Sequence, residues 1–240
     1  MDATVVITTK DRKDELRRAV ASAVAQVGAA VEVLVIDDGS TDGSSDMLRA
    51  EFSTVRVERY ERSLGLIVRR NHAAALATAP VILSIDDDAV LVSTHTVAQT
   101  LTEFDHPRVG AVAVPFVDIK QGPQVRQRAP DFARVYVASS FIGTAHALRR
   151  DLFLKLGGYR EQLFHQGEEA DYCLRMLDAG CVVRLGSADP IHHFESPRRD
   201  FRRMDVYGRR NDVLYAWHNV PLPYLPGHLL ATTFNGLCWG

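Results

Sequence analysis

The sequence predicts an α/β fold in which a mainly parallel sheet is flanked by helices and followed by a less regular second half. Short apolar, β-branched runs alternate with helical patterns in the first half, and polar residues follow each run. The 240 residues are 46% hydrophobic and 24% charged, which is typical of a globular chain able to bury one core. Because parallel sheets bind ligands beyond the carboxyl ends of their strands, we expect a binding site at one sheet edge.

Four apolar runs predict the strands of the first half, and they cover residues 5–8, 31–36, 55–60 and 81–85. Apolar residues at helical spacing follow the first two runs, and an alanine-rich helix over 71–79 precedes the fourth. The alternation predicts parallel neighbouring strands. Polar segments at the strand ends should therefore lie along one edge, and these are residues 9–12, 37–40 and 86–88.

The second half is less regular. The polar, proline-bearing stretch over residues 120–130 predicts a mobile loop. Helical spacing from Ala170 to Leu177 predicts a helix that stops at Gly180. We expect one globule with a nucleotide-binding half over 1–115 and an acceptor-binding half over 116–215. An aromatic, proline-rich segment follows over 216–240. The native chain could extend past Gly240.

Composition limits the classes of function. The formal charge of -2 gives no global reason to expect a nucleic-acid partner. The three cysteines lack metal-type spacing and cannot all pair, which favours a reduced, cytoplasmic chain. The N-terminus lacks the pattern of a signal peptide, and no run approaches the roughly 18 apolar residues that span a bilayer. Any membrane contact is therefore expected to be peripheral.

Three consecutive acids follow the apolar run at residues 81–85. The carboxylates of Asp86, Asp87 and Asp88 would repel one another unless a cation lay between them. Magnesium or manganese would be held by one or two of these carboxylates while keeping sites for phosphate oxygens. A solvated acidic turn is the alternative.

Two other polar segments follow predicted strands. The loop over residues 37–43 combines turn formers with side chains that accept hydrogen bonds from a base or a ribose. Residues 8–12 form a second polar segment of this kind after the first predicted strand. Taken alone, each segment is more often a turn and a helix cap than a binding site.

The order of the motifs identifies the sequence more strongly than any one of them. They are VVITTKDR, VLVIDDGSTDGS, LGLIVRRN, VILSIDDDA, GTAHALRR, GEEADYCLR and a late pair of histidines. In this order they resemble family 2 glycosyltransferases of the GT-A fold, over about residues 3 to 215. The resemblance implies inverting transfer of a sugar from a nucleoside-diphosphate sugar, such as a UDP- or dTDP-sugar, to an acceptor hydroxyl. It also implies a Mn²⁺ or Mg²⁺ cofactor.

The resemblance assigns donor-binding residues in the first half. The nucleoside pocket would be lined by Thr9, Asp11, Arg12 and Asp38, with Asp38 reaching the base. The metal pair would be Asp86 and Asp88, Asp87 could substitute for either, and His193 is a further candidate ligand.

The segment SLGLIVRRN matches the family pattern in part. Gly65, Arg70 and Asn71 match it, whereas Ser63 and Arg69 depart from it. Arg70 is the candidate for the phosphate side. Arg69 is ambiguous, and a solvated helix face is its alternative role.

The catalytic base implied by the resemblance is Glu169, where the family more often has aspartate. Glu168 and Asp171 are rivals for this role, and an ion pair between Asp171 and Arg175 is the structural alternative. Acids are also favoured in the first turn of a helix by its dipole.

The C-terminal sequence is rich first in arginine and then in aromatic residues and proline. The six arginines would bind a donor or acceptor phosphate or form a solvated helix, and they are Arg198, Arg199, Arg202, Arg203, Arg209 and Arg210. Tyr215, Trp217 and Tyr224 suit a peripheral contact at the inner face of a membrane. The acceptor would then be a saccharide, a lipid-linked sugar or a small molecule. Packing of the tail leucines on the domain or in a dimer is the alternative.

Three other functions are weighed against this one. A sugar-nucleotide pyrophosphorylase would need a glycine-rich N-terminal loop, and VVITTKDR has no glycine. A non-catalytic sugar-nucleotide-binding relative would not need the acids Asp86, Asp88 and Glu169. A receiver-type phosphoacceptor would explain only the Asp37 and Asp38 pair.

Overall fold

The computed structural model describes residues 1–195 and 201–238, and two sheets organise them. The strands of the eight-stranded sheet are β1 (Ala3–Thr9), β2 (Val31–Asp37), β3 (Arg56–Arg59), β4 (Val81–Asp86), β6 (Val109–Ala113), β9 (Val137–Ala138), β10 (Ala145–Arg149) and β11 (Val182–Leu185). The strands of the four-stranded sheet are β5 (Ala89–Leu91), β7 (Phe116–Asp118), β8 (Val125–Arg126) and β12 (Ile191–His193).

Helices cover both faces of the larger sheet. Their bounds are α1 (Lys13–Val24), α2 (Ser44–Glu51), α3 (Leu66–Leu76), α4 (Thr96–Thr102), α5 (Arg150–Lys155), α6 (Glu168–Asp178), α7 (Phe201–Asn219) and α8 (Leu225–Cys238). A short 3₁₀ turn covers Glu161–Leu163.

The order of the larger sheet is β3-β2-β1-β4-β10-β6-β11-β9. Strands β3, β2, β1 and β4 are parallel, as the alternating pattern predicts. Strand β10 runs antiparallel between β4 and β6. Two apolar clusters bury the sheet, one around α1 and the other around α3 and α6. The predicted α/β class is therefore confirmed, and so are the four predicted strands, within a few residues at each end.

Helix α3 begins five residues before the predicted start at residue 71, so that predicted start was wrong. Gly65, at φ +92°, precedes the helix, and the first turns carry Arg69 and Arg70 inside the protein. Here buried carboxylates compensate their charges, and this compensation permits a helix.

The stretch over residues 120–130 is more ordered in structure than a loop prediction implies. It contains β8, which pairs with β7. The Gln127 side chain donates hydrogen bonds to the carbonyls of Val114 and Ala145, and it accepts one from the Ile142 amide. These bonds attach the stretch to the ends of β6 and β10.

The predicted helix with a stop at Gly180 is confirmed by α6, and Gly180 has φ +83°. Helix α7 packs against α6 and the 3₁₀ turn, and Asn211 donates to the carbonyls of Leu163, His165 and Gln166. Helix α8 packs on α7. No helix among residues 1–195 and 201–238 is long and apolar enough to cross a membrane.

Candidate active site

Charged side chains converge at the carboxyl ends of β1, β2 and β4. The parallel register aligns Thr9 with Asp37 and Thr8 with Asp86. The smaller sheet adds residues to the same edge, because its strand β12 pairs with β5, which follows the acidic turn. The first turn of α6 supplies two further acids, Glu168 and Glu169.

Asp86, Asp88 and His193 form a cluster whose ligand atoms all lie within 4.8 Å of one another. The His193 Nε2 atom lies 3.2 Å from Asp88 Oδ1 and 3.9 Å from Asp86 Oδ2. Burial alone would lower the pKa of His193, but hydrogen bonds with Asp88 and Asp118 and the charge of Asp86 raise it to about 9. The imidazolium form therefore offsets part of the negative charge of the acidic turn.

Asp87 faces a different set of partners from its two neighbours. Its carboxylate accepts a hydrogen bond from Thr9 Oγ1 at 2.8 Å and one from Arg12 at 2.7 Å. Arg12 also lies 3.3 Å from Asp88. Burial raises the pKa of Asp87 to about 7. Asp87 thus ties the end of β1 to the acidic turn, while the carboxylates on either side of it meet His193.

Arg70 links the acidic turn to the acids of α6. Its guanidinium donates to Asp86 at 3.0 Å and to the Gly143 carbonyl at 2.8 Å. It lies 3.9 Å from both Glu168 and Glu169. Burial opposes its charge, but these carboxylates outweigh that effect and keep its pKa raised. The positive charge of Arg70 therefore lies between the two acidic groups of the site.

Glu169 is the more accessible of the two acids that α6 brings to the site. Burial and the neighbouring Glu168 raise the pKa of Glu169 to about 8. Its side chain keeps 19% of its surface accessible, whereas that of Glu168 keeps 3%. Burial also raises the pKa of Glu168. Of the two, Glu169 is the one that a substrate hydroxyl can approach.

The absence of a side chain at Gly143 leaves room for the Glu169 carboxylate. A Cβ atom on Gly143 would lie 2.1 Å from Glu169 Oε1 and 2.9 Å from Arg70 Nη1. No real side chain tolerates the first distance, so any larger residue would displace the carboxylate. The glycine of the GTAHALRR motif is therefore explained by this close approach.

The model of the family described as Glycosyl transferase family 2 matches residues 4–165, which is more than half of the chain. The chain belongs to glycosyltransferase family 2. Membership argues against the pyrophosphorylase and receiver alternatives, because the family match covers the whole first half and continues to the start of α6.

Sequence relatives are also glycan-related proteins. The chain is 32% identical over 205 residues to the succinoglycan biosynthesis protein ExoU of Rhizobium meliloti, covering 77% of this chain and 59% of that protein. It is 28% identical over 256 aligned positions to a pre-mycofactocin glycosyltransferase of Mycobacterium tuberculosis, covering 96% of this chain and 52% of that protein. The chain thus spans between half and three-fifths of the length of these relatives.

Solved structures show the same fold. A mannosyltransferase of Pyrobaculum calidifontis in complex with GDP-Man and Mn²⁺ aligns with a TM-score of 0.71 at 20% identity, over 96% of this chain and 68% of that one. TarS residues 1–349 of S. aureus, in complex with UDP, align with a TM-score of 0.69 at 16% identity, over 97% and 71%. The GT-A fold that the sequence resemblance implies is therefore confirmed.

The family pattern assigns Asp38 to the nucleobase of the donor. In this structure the Asp38 carboxylate is hydrogen-bonded to other residues of the protein. Its two oxygens accept hydrogen bonds from Ser63 Oγ, from the amides of Leu64 and Gly65 and from Arg69 Nε. These bonds fix the loop before α3. Base recognition by Asp38 stays a prediction.

The sequence left the role of Arg69 open, with a solvated helix face as the alternative. That alternative was wrong. The residue is 1% exposed, pairs with Asp38 at 2.5 Å and stacks on the Tyr60 ring with 3.6 Å to its centroid. Its guanidinium is fully used inside the fold. Arg69 is therefore a support of the strand-end loop.

Two other predicted residues, Asp11 and Asn71, form hydrogen bonds within the fold. Asp11, at φ +53°, accepts a hydrogen bond from the Thr41 amide and connects the ends of β1 and β2. Asn71 bonds the backbone of Tyr159 in both directions. The described contacts of Asn71 therefore attach α3 to the second half.

Asp171 is held by three partners within the fold. Its carboxylate accepts hydrogen bonds from Arg160, Arg175 and Asn219. The structure thus contains the ion pair with Arg175 that was the alternative to a catalytic role. These three partners use both oxygens of the carboxylate, and a catalytic role for Asp171 stays a prediction.

The C-terminal arginines fall into two groups. Arg198 and Arg199 lie outside the described residues, and the side chains of Arg202 and Arg203 are likewise not described. Arg209 pairs with Asp205, and Arg210 donates to the Gln162 carbonyl.

Sequence reasoning did not single out two residues at the site, Asp118 and Gly143. Gly143 stands in a motif of the family, so its position carried a usable signal. Asp118 is one acid at the end of a three-residue strand, and it meets His193 only through strand pairing.

Proposed function

We propose that this chain transfers a sugar, with inversion, from a nucleoside-diphosphate sugar to an acceptor hydroxyl, in a metal-assisted reaction. The observation that carries the proposal is the connection made by Arg70. Arg70 contacts Asp86 on one side and Glu169 on the other. Asp86 belongs to the cluster with Asp88 and His193 that suits a cation, and Glu169 is a carboxyl group with a raised pKa. A donor and an acceptor held at this edge would meet both groups.

The donor atoms of the cluster fit a divalent cation. Two carboxylate oxygens and one imidazole nitrogen lie within 4.8 Å of one another, and the nitrogen would become a ligand once the cation displaced the Nε2 proton of His193. Magnesium prefers oxygen ligands, so the imidazole favours Mn²⁺. The cation, when bound, would neutralise charge on the departing diphosphate. Neighbouring Arg12 and Arg70 would add positive charge for the phosphate oxygens.

The proton of the acceptor hydroxyl would go to Glu169. A general base works best when its pKa lies near the working pH, and about 8 meets that condition. The hydroxyl oxygen would attack the anomeric carbon as the bond to the diphosphate breaks. Because one attack from the face opposite the leaving group inverts the carbon, one base is sufficient.

The donor is proposed to be a UDP- or dTDP-sugar, and related structures widen the panel to be tested. The mannosyltransferase structure is a complex with GDP-Man, and a TarS structure is a complex with UDP-GlcNAc. The test is release of nucleoside diphosphate from a panel of UDP-, dTDP- and GDP-sugars, with Mn²⁺, with Mg²⁺ and with EDTA. Release that requires a divalent cation and one class of donor supports the proposal. No release from any donor would instead favour a sugar-nucleotide-binding relative without turnover.

We also propose that the acceptor is presented at an anionic membrane surface on the cytoplasmic side. Helix α8 has no acidic or basic residues other than His228, and large apolar side chains stay exposed on and beside it, namely Leu222, Tyr224, Leu230 and Phe234. The arginine-rich sequence before it complements anionic headgroups. Flotation with anionic and with neutral liposomes tests this, and Leu230→Ser with Phe234→Ser should abolish binding. Equal binding by that variant would contradict the contact.

A further inference from the structure

Strand pairing brings Asp118 next to His193. Strands β7 and β12 are parallel, and their register aligns Asp118 with His193. On the other side β12 pairs with β5, where His193 faces Ala89, one residue past the acidic turn. A shift of one residue in either pairing would turn these side chains to the opposite face. The small sheet therefore sets His193 between Asp118 and the acids Asp86 and Asp88.

The two nitrogens of the His193 ring have different partners. Nδ1 lies 2.5 Å from Asp118 Oδ1, and Nε2 lies 3.2 Å from Asp88 Oδ1. Both residues of the first pair are buried, with 2% of the His193 side chain and 7% of the Asp118 side chain accessible. The Phe116 ring packs edge-on against the imidazole, at an interplanar angle of 82°. The ring therefore has little freedom to turn.

We propose that Asp118 is a positioning residue for the metal site: it accepts a hydrogen bond from the Nδ1–H of His193 and aims Nε2 between Asp86 and Asp88. The proposal rests on the proposed metal-assisted function. A histidine ligand whose other nitrogen donates to a carboxylate is held in one tautomer and one orientation, and such partners typically change metal affinity by about 10- to 100-fold.

An ion pair with Arg126 is the competing role for Asp118. Arg126 comes from β8 and lies 3.3 Å from the other carboxylate oxygen, Oδ2. Its side chain is 41% exposed, so the pair is screened by solvent and should add little stability. Because the two partners use different oxygens, Arg126→Ala removes the ion pair and leaves the bond to His193 in place. This variant is the matched control.

The experiment measures Mn²⁺ affinity directly. Free Mn²⁺ is followed by EPR during titration of the protein alone, and again with UDP or GDP present. The variants are Asp118→Ala, Asp118→Asn, His193→Ala, Arg126→Ala, Asp88→Ala and the Asp118→Ala, His193→Ala double variant. Circular dichroism and thermal unfolding confirm that each one is folded.

Asp118→Ala should weaken Mn²⁺ binding about 10- to 100-fold. Asp118→Asn keeps an acceptor oxygen for Nδ1 and a nearly unchanged shape, so its loss should be smaller. Arg126→Ala should bind as the parent does. The double variant should bind no more weakly than His193→Ala alone, because Asp118 acts through His193.

Three results would overturn the proposal. Unchanged affinity in both Asp118 variants, equal losses in the Asp118→Ala and Arg126→Ala variants, or fully additive losses in the double variant would each do so. If Asp88→Ala still loses the metal in these cases, the metal site stands and only the role of Asp118 fails. If Asp88→Ala binds as the parent does, the proposed metal site itself fails.

Discussion

Replacing Glu169 with glutamine should stabilise the protein while disabling it. In the folded chain burial and Glu168 raise the pKa of Glu169 to about 8 from an ordinary 4.5. The folded state therefore keeps a proton at this site up to about pH 8, whereas the unfolded state loses it above 4.5. Since the unfolded state binds fewer protons in this interval, the free energy of unfolding falls as the pH rises through it.

The size of this change in unfolding free energy follows from the difference between the pKa values of Glu169 in the folded and unfolded states. Each pKa unit corresponds to about 1.4 kcal/mol, so between 4.5 and pH 7 the upper limit is about 3 kcal/mol. Solvent reaches part of the side chain, of which 19% is accessible, and this reduces the value to about 1–2 kcal/mol. Glu169→Gln removes the penalty, which corresponds to an increase in Tm of roughly 2–8 °C at pH 7.

Urea unfolding at pH 4 and pH 8 measures this prediction. The stabilisation by Glu169→Gln should be present at pH 8 and largely absent at pH 4, where both states of the parent are protonated. Glu61→Gln, at an exposed position, controls for the amide substitution itself. The same stability difference at both pH values would refute the reasoning.

The catalytic consequence is measured on the same variant. Because the proton acceptor is lost, kcat should fall about 10²- to 10⁴-fold with donor affinity nearly unchanged. In the parent, kcat/KM should rise with pH through about 8, as Glu169 loses its proton. A collapse of donor affinity with kcat retained would make Glu169 a binding residue.

Three further substitutions test the rest of the site. Gly143→Ala would place a Cβ atom 2.1 Å from Glu169 Oε1 and displace the carboxylate. Steady-state assays on the folded variant should therefore show a kcat at least about tenfold lower, and a kcat like that of the parent would contradict this. Arg69→Ala removes the ion-pair partner of the buried Asp38 carboxylate, which keeps only its hydrogen bonds from the loop before α3, and urea unfolding should show a loss of about 3–5 kcal/mol. A loss below about 1 kcal/mol would show the pair to be dispensable. Asp171→Asn should lower Tm but leave kcat per folded molecule within about threefold, and a loss as large as that of Glu169→Gln would restore Asp171 as a candidate base.

Local patterns predicted the first half of the fold well. The runs at residues 5–8 and 31–36 are strands buried on both faces, and such strands are recognisable as continuous apolar segments. The polar residues after them meet at one edge because parallel strands end on the same side. Topology of this kind needs only alternation, and alternation is visible in a sequence.

The second half depends on contacts between distant residues. His193 meets Asp88 and Asp118 only because the short strands β5, β7 and β12 pair, and three-residue strands leave little periodicity to detect. The burial of Arg69 depends on Asp38, which lies 31 residues earlier. A single sequence shows that both residues are charged, but it does not show that they compensate each other.

The family resemblance supplied the residues of the site, and the structure supplied their connections. Arg70 and Glu169 were both named from motifs, but their link through Gly143 needs coordinates. Asp38 and Asn71 match family motifs as well, and the described contacts use their side chains to hold loops. Motif matches therefore indicate that a residue matters before they indicate how.

The most direct test of the central claim is donor turnover by Asp88→Ala across a Mn²⁺ titration. The exposed acid Asp46, changed to alanine, is the control. Because Asp88 lies 3.2 Å from His193 Nε2 in the proposed cation site, Asp88→Ala should show no Mn²⁺-dependent release of nucleoside diphosphate at any metal concentration, while Asp46→Ala matches the parent. Turnover by Asp88→Ala equal to that of the parent at saturating Mn²⁺ would contradict the account.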